Sequence, residues 1–260
     1  MDLNLKEKVF IVTGGSEGIG GGISTAIAQE GGIPVVASWS EEITVKFIED
    51  LREKGFETDY LIGDLQSTDY CKSVISFAIE KYGRIDGIVN NAGSNDGASL
   101  EKGPEAFRKS MMLNLYHYFD LVHFALPHLK KSKGSILNIS SKVALTGQGG
   151  TSGYAASKGA HLGLTREWAL ELLPYGIRVN AILPAEVMTP YYKKWLKATF
   201  DNPEAKEREI SAKVPLGSRM TKIEEIASLA VFVISDKSAH TTGQFLFADG
   251  GYVHLDRSIT

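Results

Sequence analysis

The sequence predicts a single-domain α/β fold: a doubly wound, seven-stranded, mainly parallel sheet with helices on both faces. Three observations predict it. Short apolar runs rich in β-branched residues alternate with longer stretches of helical periodicity, the pattern of repeated βαβ units. A glycine-rich turn follows the first apolar run directly, and no repeat or low-complexity linker divides the 260 residues.

Taken in order, the strands are expected at residues 9–13, 33–38, 58–62, 87–90, 135–139, 178–182 and 244–248, with mostly amphipathic helices between them. In such a sheet the loops at the carboxyl ends of the strands collect the ligand contacts. The alternation breaks at residues 190–215, which are aromatic and charged and contain no strand. This segment reads either as a substrate-covering lid or as a surface helix pair packed through Tyr191, Trp195 and Phe200. A further helix is expected from about Ile223.

Composition narrows the function. Thirty-one acidic and 28 basic residues are scattered along the chain for a net charge of -3, so no basic patch favours nucleic acid. Cys71 is the single cysteine, which rules out an internal disulfide and a thiol-based zinc cluster, and the six histidines lack metal-ligand spacing. The amino-terminal segment has no apolar stretch of the kind a secretion signal needs, and no segment reads as membrane-spanning. A soluble cytoplasmic protein without a metal is the expectation.

Val9-Phe10-Ile11-Val12 runs into Thr13-Gly14-Gly15-Ser16-Glu17-Gly18-Ile19-Gly20, and a helical pattern follows through Ala28. A strand, a tight turn and a helix in that order make a dinucleotide site. Gly14 and Gly18 are free to take positive φ and bring backbone amides to a pyrophosphate, Gly20 lets the helix approach the strand, and the helix amino end favours the anion.

Tyr154 and Lys158 stand four apart in a helical segment and so share one face. The pair alone is weak, but Ser141 ends the fifth strand, Asn90-Asn91-Ala92-Gly93 ends the fourth, and Asn114 lies in the helix between them. With Asp64-Leu65, Pro184, Thr189 and Asp249-Gly250-Gly251, these pieces resemble the short-chain dehydrogenase/reductase family over residues 5–252, nearly the whole chain. The resemblance implies a Rossmann fold and a catalytic set of Asn114, Ser141, Tyr154 and Lys158. Tyr154 would be the base, Ser141 would donate to the substrate oxygen, Lys158 would hold the nicotinamide ribose, and Asn114 would anchor a water beside the lysine. A free phenol titrates near ~10, so Lys158 is expected to favour the phenolate by its charge.

The cofactor contacts implied are Gly14, Ser16, Glu17, Gly18, Ile19, Gly20, Ser38, Trp39, Ser40, Asp64, Leu65, Asn91, Ala92, Gly93, Ile139, Tyr154, Lys158, Pro184, Val187 and Thr189. At the end of the second strand a carboxylate would chelate the ribose hydroxyls of NAD, and an arginine would accept the extra phosphate of NADP. Ala37-Ser38-Trp39-Ser40 offers neither, while Glu17 would repel that phosphate, so the cofactor is NAD or NADP with a lean to NAD.

The family pattern usually has Pro-Gly after the sixth strand, but here Pro184-Ala185-Glu186 places a carboxylate beside the expected nicotinamide pocket, at the substrate mouth. Asn95, Asp96 and Gln148 add polar groups there, with Ser141, Tyr154, Tyr191 and Trp195 completing the predicted substrate set. Such a lining suits a polyol or sugar. The run 182–190, Ser140-Ser141-Lys142 with residues 146–149, the stretch 202–206 and the tail 249–257 resemble bacterial L-fucose dehydrogenases more narrowly. That likeness implies oxidation at C1 of L-fucose or a related aldose to the lactone. The competing readings are a 3-oxoacyl or ketosteroid reductase, for which the scattered charge offers no docking patch for an acidic acyl carrier, and a dinucleotide-binding sensor without turnover. The family likeness also implies a homotetramer formed through the helices after the fourth and fifth strands and the last strand, with residues 254–257 near a neighbouring subunit.

Overall fold

In the computed structural model, which describes residues 1–255, seven strands alternate with nine α-helices. The strands are β1 (Val9–Thr13), β2 (Ile33–Ser38), β3 (Asp59–Ile62), β4 (Gly87–Asn90), β5 (Ser135–Ile139), β6 (Arg178–Pro184) and β7 (Phe245–Ala248). The helices are α1 (Gly18–Gln29), α2 (Glu41–Glu53), α3 (Thr68–Tyr82), α4 (Gly103–Met111), α5 (His117–Ser132), α6 (Ser152–Glu171), α7 (Pro190–Thr199), α8 (Pro203–Ser211) and α9 (Ile223–Ile234). The sheet order is β3-β2-β1-β4-β5-β6-β7, and every ladder is parallel. This is the doubly wound Rossmann arrangement, and its direction of winding reverses between β1 and β4.

Strand periodicity divides the core into two layers. Val9 and Ile11 face a cluster with Tyr118, Leu121 and Trp168 from α5 and α6. Their neighbours Phe10 and Val12 face Ile23, Ile27, Ile226 and Ala230 from α1 and α9. Because both faces are covered, the strands read as nearly unbroken apolar runs rather than alternating ones.

The differences from expectation have local causes. β3 begins at Asp59, because the Thr58 hydroxyl donates to the Pro34 carbonyl and its own carbonyl accepts from Arg52. β6 runs two residues past the predicted end, to Pro184, where it still pairs with Ala248 of β7, and β7 starts at Phe245 rather than at residue 244. Asn114 lies in a π-turn, Met112–Tyr116, inserted between α4 and α5 instead of in a plain helix. The 190–215 segment contains α7 and α8, with Trp195 edge-on to Phe200 at 5.3 Å. Of the tail residues 254–257, Asp256 and Arg257 lie outside the described residues. Among the described residues no helix is long and apolar enough to cross a membrane.

One buried carboxylate ties the sheet's amino-terminal edge together. Asp86 is 6% exposed; it accepts from the Val9 amide at 2.9 Å and from Arg84 through both oxygens at 2.8 Å. Replacing Asp86 by alanine strands the Val9 amide, and is expected to cost about 1–3 kcal/mol. Urea unfolding of the variant checks this, and an unchanged midpoint would remove Asp86 from the account of stability.

Candidate active site

The crevice opens at the carboxyl ends of β1 and β4. Gly14 and Gly18 adopt φ of +59° and +56°, and a Cβ on Gly20 would lie 2.2 Å from the Gly14 carbonyl oxygen. The turn therefore accepts no side chain there, and backbone amides line the approach to α1. Glu17 is extended at the helix cap and makes no side-chain cap bond, so its carboxylate leaves the helix amino end open to an anion. Thr13 closes the other wall: its hydroxyl accepts from the amides of Asn91 and Ala92 at 2.9 and 3.0 Å, and Asn91 returns a bond to the Thr13 carbonyl at 2.9 Å. Thr189, which caps α7, lies 3.5 Å from the position of a Gly18 Cβ. These features fit a nicotinamide dinucleotide: a glycine cradle, a helix amino end and a β6 loop face one another.

At the far end of the crevice Ser38 and Thr44 reach Ser16, through a 3.4 Å contact with the first and a hydroxyl donated by the second at 3.0 Å. Among the described residues, no carboxylate or cation hydrogen-bonds to this hydroxyl cluster. Trp39 is 82% exposed, and Ser40 precedes α2. Asp64 is also exposed and accepts from the Gln66 amide at 2.9 Å, while Leu65 packs against the core.

The predicted catalytic set converges at the ends of β5 and α6. Lys158, 3% exposed, donates through Nζ to the Ile139 carbonyl at 2.8 Å and lies 5.5 Å from the centre of the Tyr154 ring. Ser141 accepts from the Val143 amide at 3.3 Å, which leaves its O–H free to donate, and it bonds to Tyr154. Asn114 is fully buried: its side-chain oxygen accepts from the Ser94 amide at 2.8 Å, and its amide nitrogen donates to the Ser110 carbonyl at 3.0 Å.

Burial is the largest influence on both Tyr154 and Lys158. Burial pushes the Tyr154 phenol up to about 12; the hydrogen bond from Ser141 works against this rise, and Tyr191 adds to it. Burial draws the Lys158 ammonium down to about 7, because the low-dielectric surroundings penalise its charge.

Three residues behind the tetrad escaped the sequence reading. His161 stacks on Tyr118 at 3.9 Å, and its Nε2 meets the carbonyl of Asn114, within the π-turn, at 2.8 Å. Tyr118 donates to the same Ile139 carbonyl that receives Lys158. His117 approaches the Ala92 carbonyl at 3.3 Å, and burial lowers it to about 4. The one available signal was the spacing of His161 from Lys158, three positions on along α6.

The predicted substrate residues are drawn together unevenly. The Tyr191 hydroxyl donates to the Asn95 carbonyl at 3.4 Å, joining α7 to the loop after β4. Asp96 is held within its own loop and by the Ser110 hydroxyl at 3.0 Å. Gln148 is exposed on the loop before α6, and Trp195 meets Tyr192 and Phe200. Glu186 is already engaged: it forms an ion pair with Lys142 and accepts from the Tyr192 hydroxyl at 2.8 Å. Lys142 and Tyr192 were also missed, although a lysine directly after Ser141 was visible in the sequence.

Residues 14–253 match the family model described as Enoyl-(Acyl carrier protein) reductase. The chain is 34% identical to the 3-oxoacyl-[acyl-carrier-protein] reductase FabG of Thermotoga maritima, over 96% of this chain and 100% of that protein. It is 39% identical to the L-fucose dehydrogenase of Bos taurus, over 94% of this chain and 88% of the relative. The likeness to L-fucose dehydrogenases is thus seen with mammalian enzymes, those of Rattus norvegicus and Mus musculus among them. The crystal structure of Cj0485 dehydrogenase superposes with a TM-score of 0.94 at 47% identity, covering 100% of this chain and 99% of that one. Matched from the glycine turn to the tail, and built on the same sheet with the same crevice, the chain belongs to the short-chain dehydrogenase/reductase family of NAD(P)-binding oxidoreductases and is an enzyme.

Proposed function

We propose that this enzyme oxidises the anomeric hydroxyl of L-fucose or a related aldose to the lactone. The observation that carries the reading is the set of polar side chains on the loops that flank the catalytic groups: Lys142 next to Ser141, its partner Glu186 after β6, and Asn95 and Asp96 after β4. These groups are paired with one another but keep further donor and acceptor positions, which a sugar's hydroxyls can use and a lipid cannot. The L-fucose dehydrogenase relatives support the same choice.

In this mechanism Tyr154, Ser141, Lys158 and Asn114 form the catalytic set. The Ser141 O–H donates to the substrate oxygen and orients the anomeric carbon. Tyr154 takes the hydroxyl proton, and Lys158, poised near neutrality by burial, holds or releases a proton beside it. A nicotinamide dinucleotide bound in the glycine cradle supplies the hydride acceptor. Asn114 keeps the Ser94 and Ser110 backbone in register around the site. The helices α7 and α8 serve as the lid, and the exposed Phe107, Tyr116 and Phe119 on the α4–α5 face support assembly into a homotetramer.

The competing reading is reduction of a 3-oxoacyl thioester, favoured by the FabG relative. Nicotinamide absorbance with an aldose panel, a 3-oxoacyl thioester and a steroid ketone at alkaline pH separates the two. L-fucose or a stereochemical relative is expected to give the highest kcat/KM; brisk turnover of the thioester with none of any aldose would replace the sugar assignment.

With the phenol near 12, the phenolate fraction grows about tenfold per pH unit below that value, so oxidation is expected to rise steadily from pH 7 to 10. Tyr154→Phe should lose about 10²–10⁴-fold in kcat and flatten that rise. A folded Tyr154→Phe protein with undiminished turnover would end the role given to the phenol.

NAD is the expected cofactor, because Ser38, Trp39 and Ser40 supply no cation for a ribose phosphate and Glu17 repels one. Parallel kcat/KM measurements with NAD and NADP check this; a large preference for NADP would reverse it.

A further inference from the structure

Four chain segments that adjoin the catalytic groups meet at one ion pair. Lys142 follows Ser141 and opens the short helical turn Lys142–Ala144. Glu186 stands two residues beyond the end of β6, its main chain pinned by the Thr221 amide donating to its carbonyl at 2.9 Å. Their side chains pair at 12% and 15% exposure. From the third segment, α7, the Tyr192 hydroxyl donates to the second carboxylate oxygen at 2.8 Å; from the fourth, the tail, the Tyr252 ring lies 4.0 Å beneath the Lys142 ammonium. Tyr192 in turn packs edge-on against Trp195 at 5.2 Å, so the contact continues along the lid helix.

A pair this enclosed is a poor source of stability, since taking both charges out of water offsets most of their attraction. Nor does the proton transfer at Tyr154 use it. What the pair retains is unspent bonding capacity: a carboxylate offers about four acceptor positions and an ammonium three protons. Among the described residues, two of Glu186's acceptor positions and one of Lys142's protons are taken. A hydroxyl group fits both remainders at once, accepting from the ammonium while donating to the carboxylate. Neither a thioester nor a hydrocarbon chain can do so.

We infer that Lys142 and Glu186, latched to α7 by Tyr192, form the specificity-determining pair that binds a substrate hydroxyl remote from the reacting carbon. The inference rests on the sugar reading above and adds to it two residues outside the predicted set, Lys142 and Tyr192, together with a physical link between hydroxyl binding and the lid. Neither residue touches the reacting atoms, so the effect falls on binding and selectivity before it falls on chemistry. Burial and the neighbouring carboxylate keep the Tyr192 hydroxyl protonated, so the latch remains a donor throughout the working pH range.

The test measures kcat and KM for L-fucose and its 2-deoxy, 3-deoxy and 4-deoxy analogues in the wild type and in Glu186→Gln, Lys142→Met, Lys142→Arg and Tyr192→Phe, with thermal unfolding and cofactor binding as checks on folding. In the wild type, loss of one particular hydroxyl is expected to lower kcat/KM by about 10²-fold or more. In Glu186→Gln and Lys142→Met that same loss should cost less than about tenfold, with KM for L-fucose raised more than kcat is lowered, whereas Lys142→Arg keeps the discrimination. Because Lys142→Met leaves a carboxylate unpaired and can unfold the site, Glu186→Gln and Lys142→Arg decide the matter by themselves. Equal losses on every sugar, or discrimination unchanged in Glu186→Gln, overturn the pair's role while leaving the sugar assignment standing. A wild type that oxidises no aldose overturns both.

Discussion

The active site depends on how α6 is clamped to β5. Lys158 donates to the Ile139 carbonyl at the strand's last residue, and the Ser140 hydroxyl answers by donating to the Lys158 carbonyl at 2.8 Å. Between them these bonds set the height of α6 above the sheet end. Tyr154, one turn earlier on the helix, is thereby held over the crevice and beside Ser141. The same carbonyl of Ile139 also receives Tyr118, so a buried ammonium and a buried phenol share one acceptor in a place with little water to relieve either.

Below that clamp runs a line of polar residues that an apolar core would be expected to exclude. Asn90 donates to Asn138, Asn138 to Thr165, Thr165 to the carbonyl of His161, and the His161 ring reaches the carbonyl of Asn114. The bonds join β4, β5, α6 and the π-turn, at the cost that Asn90 Oδ1 and His161 Nδ1 stay buried without a hydrogen-bond partner among the described residues. Rigidity behind the site is the result, and it suits a reaction in which a proton and a hydride must leave the same carbon and its oxygen in one geometry.

In front of the site the balance differs. The Lys142–Glu186 pair, Tyr192 and Tyr252 join loops and a lid helix, elements that gain little from core packing. Charge is held there at an energetic cost, which on the proposed reading is offset by selectivity for a ligand with matching hydroxyls. A buried, hydrogen-bonded base thus stands behind the predicted catalytic groups, and a polar, jointed set of loops stands in front of them.

Much of this was legible in the residue order. Apolar runs spaced by helical patterns determine a parallel sheet because a strand buried on both faces has no polar side to show, and Gly14, Gly18 and Gly20 mark the cradle because the turn needs positive φ and tolerates no Cβ. Tyr154 and Lys158 share a face by helical spacing alone. Tertiary structure decided the rest, because it brings together residues far apart in the chain: Glu186 reads as a free carboxylate until Lys142, 44 positions earlier, is folded against it. Burial depth was equally hidden. Sequence names a tyrosine beside a lysine, yet only the packed interior determines that desolvation, rather than their mutual charge, dominates the proton affinity of each.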